Sequence, residues 1–163
     1  MSVFLHTMRM VMGGYNLYQV ATYDTSKNDY VMGVAVRSGD DGLVIGLSQI
    51  KDVRLRYVAN TEPNNATDFC ESYVFLDNRT GRVGTKAEWE AVVSHCEYIN
   101  SALSKIEKDL LQDEFYWTVT KTPANNRWYG VKPVSGGWND GYMDTIHKLR
   151  AIPFTELPEG LEW

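Results

Sequence analysis

Thr85-Lys86-Ala87-Glu88-Trp89-Glu90-Ala91-Val92-Val93-Ser94-His95-Cys96-Glu97-Tyr98-Ile99-Asn100-Ser101-Ala102-Leu103-Ser104-Lys105-Ile106 is the stretch on which the fold turns. Glu88 follows Thr85 at the spacing of a capping box, in which the hydroxyl takes a first-turn amide and the carboxylate reaches back to the cap. Trp89, Val92, Val93, Cys96, Ile99, Leu103 and Ile106 then recur at helical spacing, while Glu90, Ser94 and Glu97 fall on the other face. The pattern predicts one long helix or two short ones broken near Asn100. Its apolar stripe has to be buried, and a sheet is the expected partner.

Upstream the periodicity changes. Tyr15–Tyr23, Tyr30–Val36 and Leu43–Leu47 read as strands, separated by turn chemistry at Asp24–Asp29 and Ser38–Gly42. Strand, polar turn and strand at short spacing predict an antiparallel hairpin or meander. The Met-rich, apolar start, residues 1–14, reads as an N-terminal arm that anchors a partner or as a first strand. Residues 57–66 read as a loop, with a short helical turn over Ala66–Tyr73. Downstream, Phe115–Thr120, Arg127–Val131 and Ile146–Phe154 read as strands. Strands, then helix, then strands predict α+β rather than alternating α/β, with residues 15–163 as one domain.

Composition bounds the rest. The 163 residues are 44% hydrophobic and 23% charged, the balance of an ordinary globular domain. A net charge of −5 with scattered Lys and Arg argues against gripping a phosphate backbone, so no nucleic-acid partner is expected. No run is long and apolar enough to span a membrane, and His6 and Arg9 interrupt the N-terminal apolar residues where a secretory signal would be unbroken. Cys70 and Cys96 are not spaced as a metal pair and read as two buried thiols; their spacing does not decide whether they are bonded. His6, His95 and His147 have no nucleophile and orienting partner in the sequence around them, and there is no Gly-rich phosphate loop.

Several ordered motifs resemble one family. Gly81-Arg82-Val83-Gly84-Thr85-Lys86-Ala87-Glu88-Trp89, Ile99-Asn100-Ser101-Ala102-Leu103, Tyr116-Trp117-Thr118-Val119-Thr120, Asn125-Asn126-Arg127-Trp128-Tyr129 and Leu149-Arg150-Ala151-Ile152-Pro153 follow the motif order of the DUF1566-type proteins of bacteria and phages. That group is C-type-lectin-like. The resemblance covers roughly residues 57 to 154, and Val31–Val36 with Leu43–Leu47 is similar to the opening hairpin of phage relatives. Val83-Gly84 stands where the family usually has leucine and proline, and the last motif also departs from the family's Arg-Pro-Val. The resemblance implies a C-type-lectin-like α+β fold and a place in surface adhesins or phage virion proteins. Formylglycine-generating enzymes share a related fold and need a cysteine pair, but Cys70 and Cys96 do not match their motif.

Two stretches stand out as candidate sites. Gly136-Gly137-Trp138-Asn139-Asp140-Gly141-Tyr142 reads as a loop whose glycines free the backbone, with Trp138, Asn139, Asp140 and Tyr142 as ligand contacts. The competing reading is a turn with Trp138 tucked into the core. Glu62-Pro63-Asn64 and Trp138-Asn139-Asp140 carry the oxygen donors that calcium takes in calcium-dependent lectins. Here the main helix and two strands separate them, whereas in those lectins they are near neighbours. No cofactor is therefore expected, and calcium is the one metal the residue types suit. Trp89, Trp117 and Trp128 fit strand or helix periodicity and read as core.

The expectation is a non-enzymatic structural or binding protein without catalytic residues. Its first assignment is a phage virion component (fibre, decoration or receptor-binding part), located in the virion. The alternative is an adhesion or glycan-binding module at the bacterial cell surface. Partners would be other virion or surface proteins and a glycan or protein receptor, with the chain in a homo-oligomer, a trimer being the first guess.

Overall fold

The computed structural model describes residues 3–8, 15–18, 31–38, 41–59, 64–124 and 126–157. Among them the chain is mixed α+β, with three helices and two five-stranded sheets. The first sheet takes β1 (Val3–Met8), β2 (Tyr15–Tyr18), β3 (Val31–Ser38), β4 (Asp41–Ile45) and the last strand, β10 (Phe154–Glu156), in the order β10-β4-β3-β1-β2. All its pairs are antiparallel. Residues 19–30, with the turn expected at Asp24–Asp29, lie outside the described residues, as do Asn60–Pro63 and Asn125.

β3 is apolar from Val31 to Val36 because both of its faces are covered there. Val34 and Val36 face the main core with Val3, Leu43 and Ile45, while Met32 and Val44 meet Phe75 on the reverse side. A register shift opposite His6 and Thr7 leaves Met32 as the extra residue of a bulge, which turns Val31 onto the main-core side. Gly33 has no alternative in this ladder, since a Cβ there would sit against the carbonyl oxygen of Ile45.

The helical stretch forms α2 (Lys86–Ser94) and α3 (Cys96–Lys105). The capping box is present: Glu88 N donates to Thr85 Oγ1 at 3.2 Å, and Thr85 N donates to Glu88 Oε1 at 2.9 Å. The break falls at His95, five residues before the expected Asn100. His95 Nδ1 lies 2.8 Å from the Ala91 carbonyl oxygen, capturing the group that the next turn would have used. Asn100 stays helical because its side chain has another task. Its Oδ1 accepts from Leu111 N at 2.7 Å and its Nδ2 donates to Leu111 O at 3.2 Å, pinning the segment that returns to the second sheet. The buried stripe runs through Trp89, Val92, Cys96, Ile99, Ala102, Leu103 and Ile106, with Val93 only partly covered. Trp89 packs between Tyr116 and Phe154, ring centroids 5.2 and 4.9 Å away, and so ties α2 to both sheets.

The second sheet runs β5-β9-β6-β7-β8. Its strands are β5 (Ile50–Val53), β6 (Tyr116–Lys121), β7 (Trp128–Lys132), β8 (Gly137–Tyr142) and β9 (Leu149–Ala151). The β6–β9 pair is parallel and the rest are antiparallel. Tyr116 and Val131 face the main core; Trp117, Trp128 and Ala151 face a second one, against Ala66 and Cys70 of α1 (Ala66–Ser72). The expected strand over Ile146–Phe154 is two strands in two different sheets. The crossing comes at Ile152–Pro153, where proline has no N–H to continue a ladder, while its carbonyl still accepts from Gly46 N at 2.8 Å. The bonded partners also explain β10: Phe154 and Arg82 exchange both backbone hydrogen bonds, so the strand's second edge is covered.

Candidate functional site

The stretch at 136–142 is not the loop expected from its glycines. β7 turns through residues 133–136, with Gly136 N bonded to Lys132 O at 2.8 Å and Gly136 at φ +78°, and Gly137–Tyr142 returns as β8. The glycines serve the tight turn and the strand, and β8 is the sheet's edge.

β8 carries a bulge. β7 advances from Trp128 to Gly130 while β8 advances from Asn139 to Tyr142, one residue more. Gly141 N bonds back to Asn139 Oδ1 at 2.8 Å and stabilises the extra residue. In an unbroken strand Trp138 and Tyr142, four apart, would share a face. The bulge puts them on opposite faces. Trp138 lies opposite Val131 and packs on the main core, whereas Tyr142 lies against the second core. Tyr142 covers Gly130, whose absent Cβ would come within 2.6 Å of the ring, and it meets Trp117 and His147 edge-on. Burial raises the Tyr142 pKa, and the residue belongs to the packing rather than to an open contact surface.

The four residues named as ligand contacts therefore divide. Asn139 and Asp140 are exposed at the bulge, Trp138 is half-buried beside them, and Tyr142 faces away. Trp138 has two neighbours that sequence reading did not assign to it. Tyr129 meets its ring edge-on at 6.4 Å, and Lys86 from the first turn of α2 holds its ammonium 5.0 Å from the Trp138 centroid and 5.2 Å from that of Tyr129. Glu90, one helical turn on, pairs with Lys86 at 2.5 Å. The hydrogen bond to Glu90 raises the Lys86 pKa despite some desolvation. The signal was present in the sequence as Lys86 and Glu90 four apart on a helix; the pairing with a strand more than 40 residues on was not.

The calcium reading fares differently in its two halves. Glu62 and Pro63 lie outside the described residues. Asn64 stands beside Asn65, which bridges to Arg54 next to β5, at the opposite edge of the sheet from β8. Four strand spacings separate those edges, roughly 19 Å, too far for Asn64 to share an ion with Asn139 or Asp140. Among the described residues no group of three or more His, Cys, Asp or Glu is placed to hold a metal.

Cys70 and Cys96 are both buried free thiols. Burial, and secondarily Glu71, pushes Cys70 up to about 12, while burial and then Asp113 push Cys96 up to about 11. Both stay protonated at neutral pH, the reverse of what a nucleophilic thiolate needs. His147 Nδ1 accepts from Met143 N at 2.8 Å, so each of the two described histidine side chains is engaged with its own local backbone.

A different polar cluster anchors the fold near β10. Arg82 donates to both oxygens of Glu88 at 2.6 Å each and to Glu156 Oε1 at 2.7 and 3.0 Å. Burial works to raise the Glu88 pKa, but the hydrogen bonds from Arg82 and the Thr85 amide outweigh it and hold the carboxyl below the usual range. Glu156 is lowered by its hydrogen bond from Arg82. This clasp joins the start of α2 to the last strand. No family model matches the chain, and no curated protein or solved structure matches it.

Proposed function

We propose that this chain is a binding and structural domain without catalytic activity, displayed on a phage virion as a fibre, decoration or receptor-binding component, and that the outer edge of β8 is its contact surface. One observation carries the reading: an edge strand carries Trp138, Asn139 and Asp140 in succession, the last two exposed, with Lys86 over the tryptophan ring and Tyr129 at its edge. An aromatic ring near an amide and a carboxylate on one edge strand offers apolar area at low entropic cost together with directional polar groups. The C-type-lectin-like fold belongs to the same proposal. It is supported by the order of the five motifs and by the mixed architecture of two sheets and three helices.

The second reading is a glycan-binding module of the bacterial surface. The pairing of Trp138 with Asn139 and Asp140 favours it, since a sugar presents C–H faces to a ring and hydroxyls to amides and carboxylates. Binding of the fluorescently labelled protein to candidate host cells and to a glycan array tests both readings. A Trp138→Ala/Asp140→Ala variant that keeps its fold should lose most of that binding. Unchanged binding by this variant would remove β8 as the contact surface. Mass spectrometry of purified phage particles separates the readings: the protein found in particles supports the first, and its recovery from the envelope fraction of uninfected cells supports the second.

A further inference from the structure

The chain holds two Asp-Gly steps, Asp41-Gly42 and Asp140-Gly141, and the fold treats them in opposite ways. We propose that Asp140-Gly141 is a site of spontaneous backbone isomerisation, at which the main chain is rerouted through the Asp140 side chain to give isoaspartate, and that Asn139 restrains it. This chemistry does not depend on what β8 binds. In the first step the Gly141 amide nitrogen attacks Cγ of the Asp140 carboxyl in its protonated form. A C–N bond forms, the Cγ–OH bond breaks and the nitrogen gives up its proton, so one water leaves and a five-membered succinimide remains. Water then adds to one of the two ring carbonyls. Addition at Cγ restores aspartate. Addition at the main-chain carbonyl carbon breaks its bond to Gly141 N and leaves isoaspartate, equal in mass to the parent, with no oxidant or reductant involved. The step needs a second residue without a Cβ in the line of attack, and a peptide free to turn towards the side chain.

Both steps have the glycine, but only one has the freedom. Asp41 and Gly42 open β4, where they pair with Ser38 and Arg37 of β3, and from the other side Leu157 N donates to Gly42 O at 3.1 Å. Turning that peptide requires opening the ladder. Asp140 and Gly141 are the bulge of β8. The register with β7 passes from Asn139, opposite Gly130, to Tyr142, opposite Trp128, so Tyr129 alone stands across from both residues. The far side of β8 is the edge of the sheet, and both residues are exposed. A Cβ on Gly141 would meet only Asn139 Oδ1, at 3.4 Å. The same oxygen accepts the Gly141 N–H at 2.8 Å. That bond comes from the side chain two residues back rather than from a neighbouring strand, and it must break before the nitrogen can give up its proton. Asn139 is thus a local brake on a peptide that the sheet itself leaves unsecured.

Incubation of the purified chain for several weeks at mildly acidic pH and physiological temperature, followed by tryptic peptide mapping with electron-transfer fragmentation, tests the site. The two steps fall in separate peptides, residues 38–51 and 128–148, so their rates are read in one experiment. In the folded chain isoaspartate should build up at Asp140 roughly tenfold faster than at Asp41, whose hairpin must first open. In urea, where neither strand exists, the two rates should converge. Asn139→Ala leaves the Gly141 N–H without its acceptor and should raise the Asp140 rate by about threefold to tenfold, the ratio that one such hydrogen bond sets. Asn139→Asp keeps an acceptor oxygen and should be no faster than the parent. Gly141→Ala fits the open space at the bulge and should slow the reaction several-fold, since its Cβ obstructs the attack. An Asp140 that stays unmodified in the folded chain while the chain in urea isomerises would overturn the inference. So would equal rates at the two steps in the folded chain, or an Asn139→Ala variant no faster than the parent.

Discussion

Trp117 and Trp138 stand in the same sheet, and the difference between them is the difference between an inner strand and an edge. Trp117 on β6 is 1% exposed, and its indole N–H donates to the Val53 carbonyl at 2.8 Å. Trp138 on β8 has the core on one side only, and a lysine from α2 lies across its ring. The residue type is the same in both places. Its position in the sheet decides whether it is locked into the scaffold or left at the surface. The bulge at Asn139–Tyr142 marks that boundary, because it hands Tyr142 to the scaffold and leaves Asn139 and Asp140 outside.

The largest expected effect comes from truncating the two tryptophans. Trp117→Ala removes a fully buried ring and leaves the Val53 carbonyl without its donor, which should cost about 3–5 kcal/mol. Trp138→Ala should cost about 1–2 kcal/mol, because only part of its surface is withdrawn from water. Urea unfolding of both variants measures the contrast. Equal losses would mean that Trp138 is as much a part of the scaffold as Trp117, and β8 would lose its standing as a contact surface.

Gly130→Ala probes the boundary from the inner side. The added Cβ would come within 2.6 and 2.7 Å of two Tyr142 ring atoms, and Leu149 is 3.3 Å away. The ring must tilt off β7, at a cost of about 1–3 kcal/mol. Tyr142→Ala in the same background should recover part of that loss, since it removes the clash. If the pair were additive instead, Tyr142 would not lie over Gly130 in solution.

How much of this was legible in the sequence varies with the range of the interaction. The capping box, the α2–α3 stripe and the core positions of Trp89, Trp117 and Trp128 depend on neighbours three or four residues away or on strand alternation, and all of these were read from the chain. The break at His95 was misplaced to Asn100 because what fixes Asn100 is Leu111, in another segment. The run through Ile146–Phe154 reads as one strand because apolar residues recur through both halves, at Ile146, Leu149, Ala151, Ile152 and Phe154; only the pairing of Leu149 with Val53 and of Phe154 with Ile45 divides it between sheets. The candidate site suffered most. Its glycines suggested a loop, and the bulge that separates Trp138 from Tyr142 is visible only in the register with β7. β5 was missed altogether, being four residues with a charged pair at Lys51 and Asp52.

The Arg82 clasp offers a comparison of the same kind, between a half-buried and an exposed carboxylate on one guanidinium. Glu88 and Glu156 both have pKa values below the ordinary 4.5, so their contribution to stability is complete above that value and is lost as pH falls through the folded pKa values. Thermal melts between pH 7 and pH 2.5 should show the stability falling below about pH 4.5. Arg82→Met should lower stability at pH 7 by about 1–2 kcal/mol, discounted for the exposure of Glu156, and should flatten the acid dependence. Glu88→Gln should remove more of that dependence than Glu156→Gln, because Glu88 is the less exposed partner and is also held by the Thr85 amide. The reverse order would place the weight of the clasp on β10 rather than on the start of α2.

The smallest effect on stability is expected at Lys86, and it sharpens the tryptophan comparison most. An ammonium over half-buried rings at the surface contributes about 0.5–1 kcal/mol, so Lys86→Met should leave the melting temperature nearly unchanged. The Trp138 ring should nevertheless lose its cover. Its emission, isolated by subtracting the spectrum of a Lys86→Met/Trp138→Phe variant, should shift to the red and be quenched more readily by acrylamide than in the parent pair. Binding should respond in the same direction as exposure: if the uncovered ring is the contact, Lys86→Met should hold its ligand as well as the parent or better, while Trp138→Phe should weaken it. A Lys86→Met variant that loses binding while its ring becomes more accessible would transfer the contact from the tryptophan to the lysine, and β8 would then serve as the support for a site on the first turn of α2.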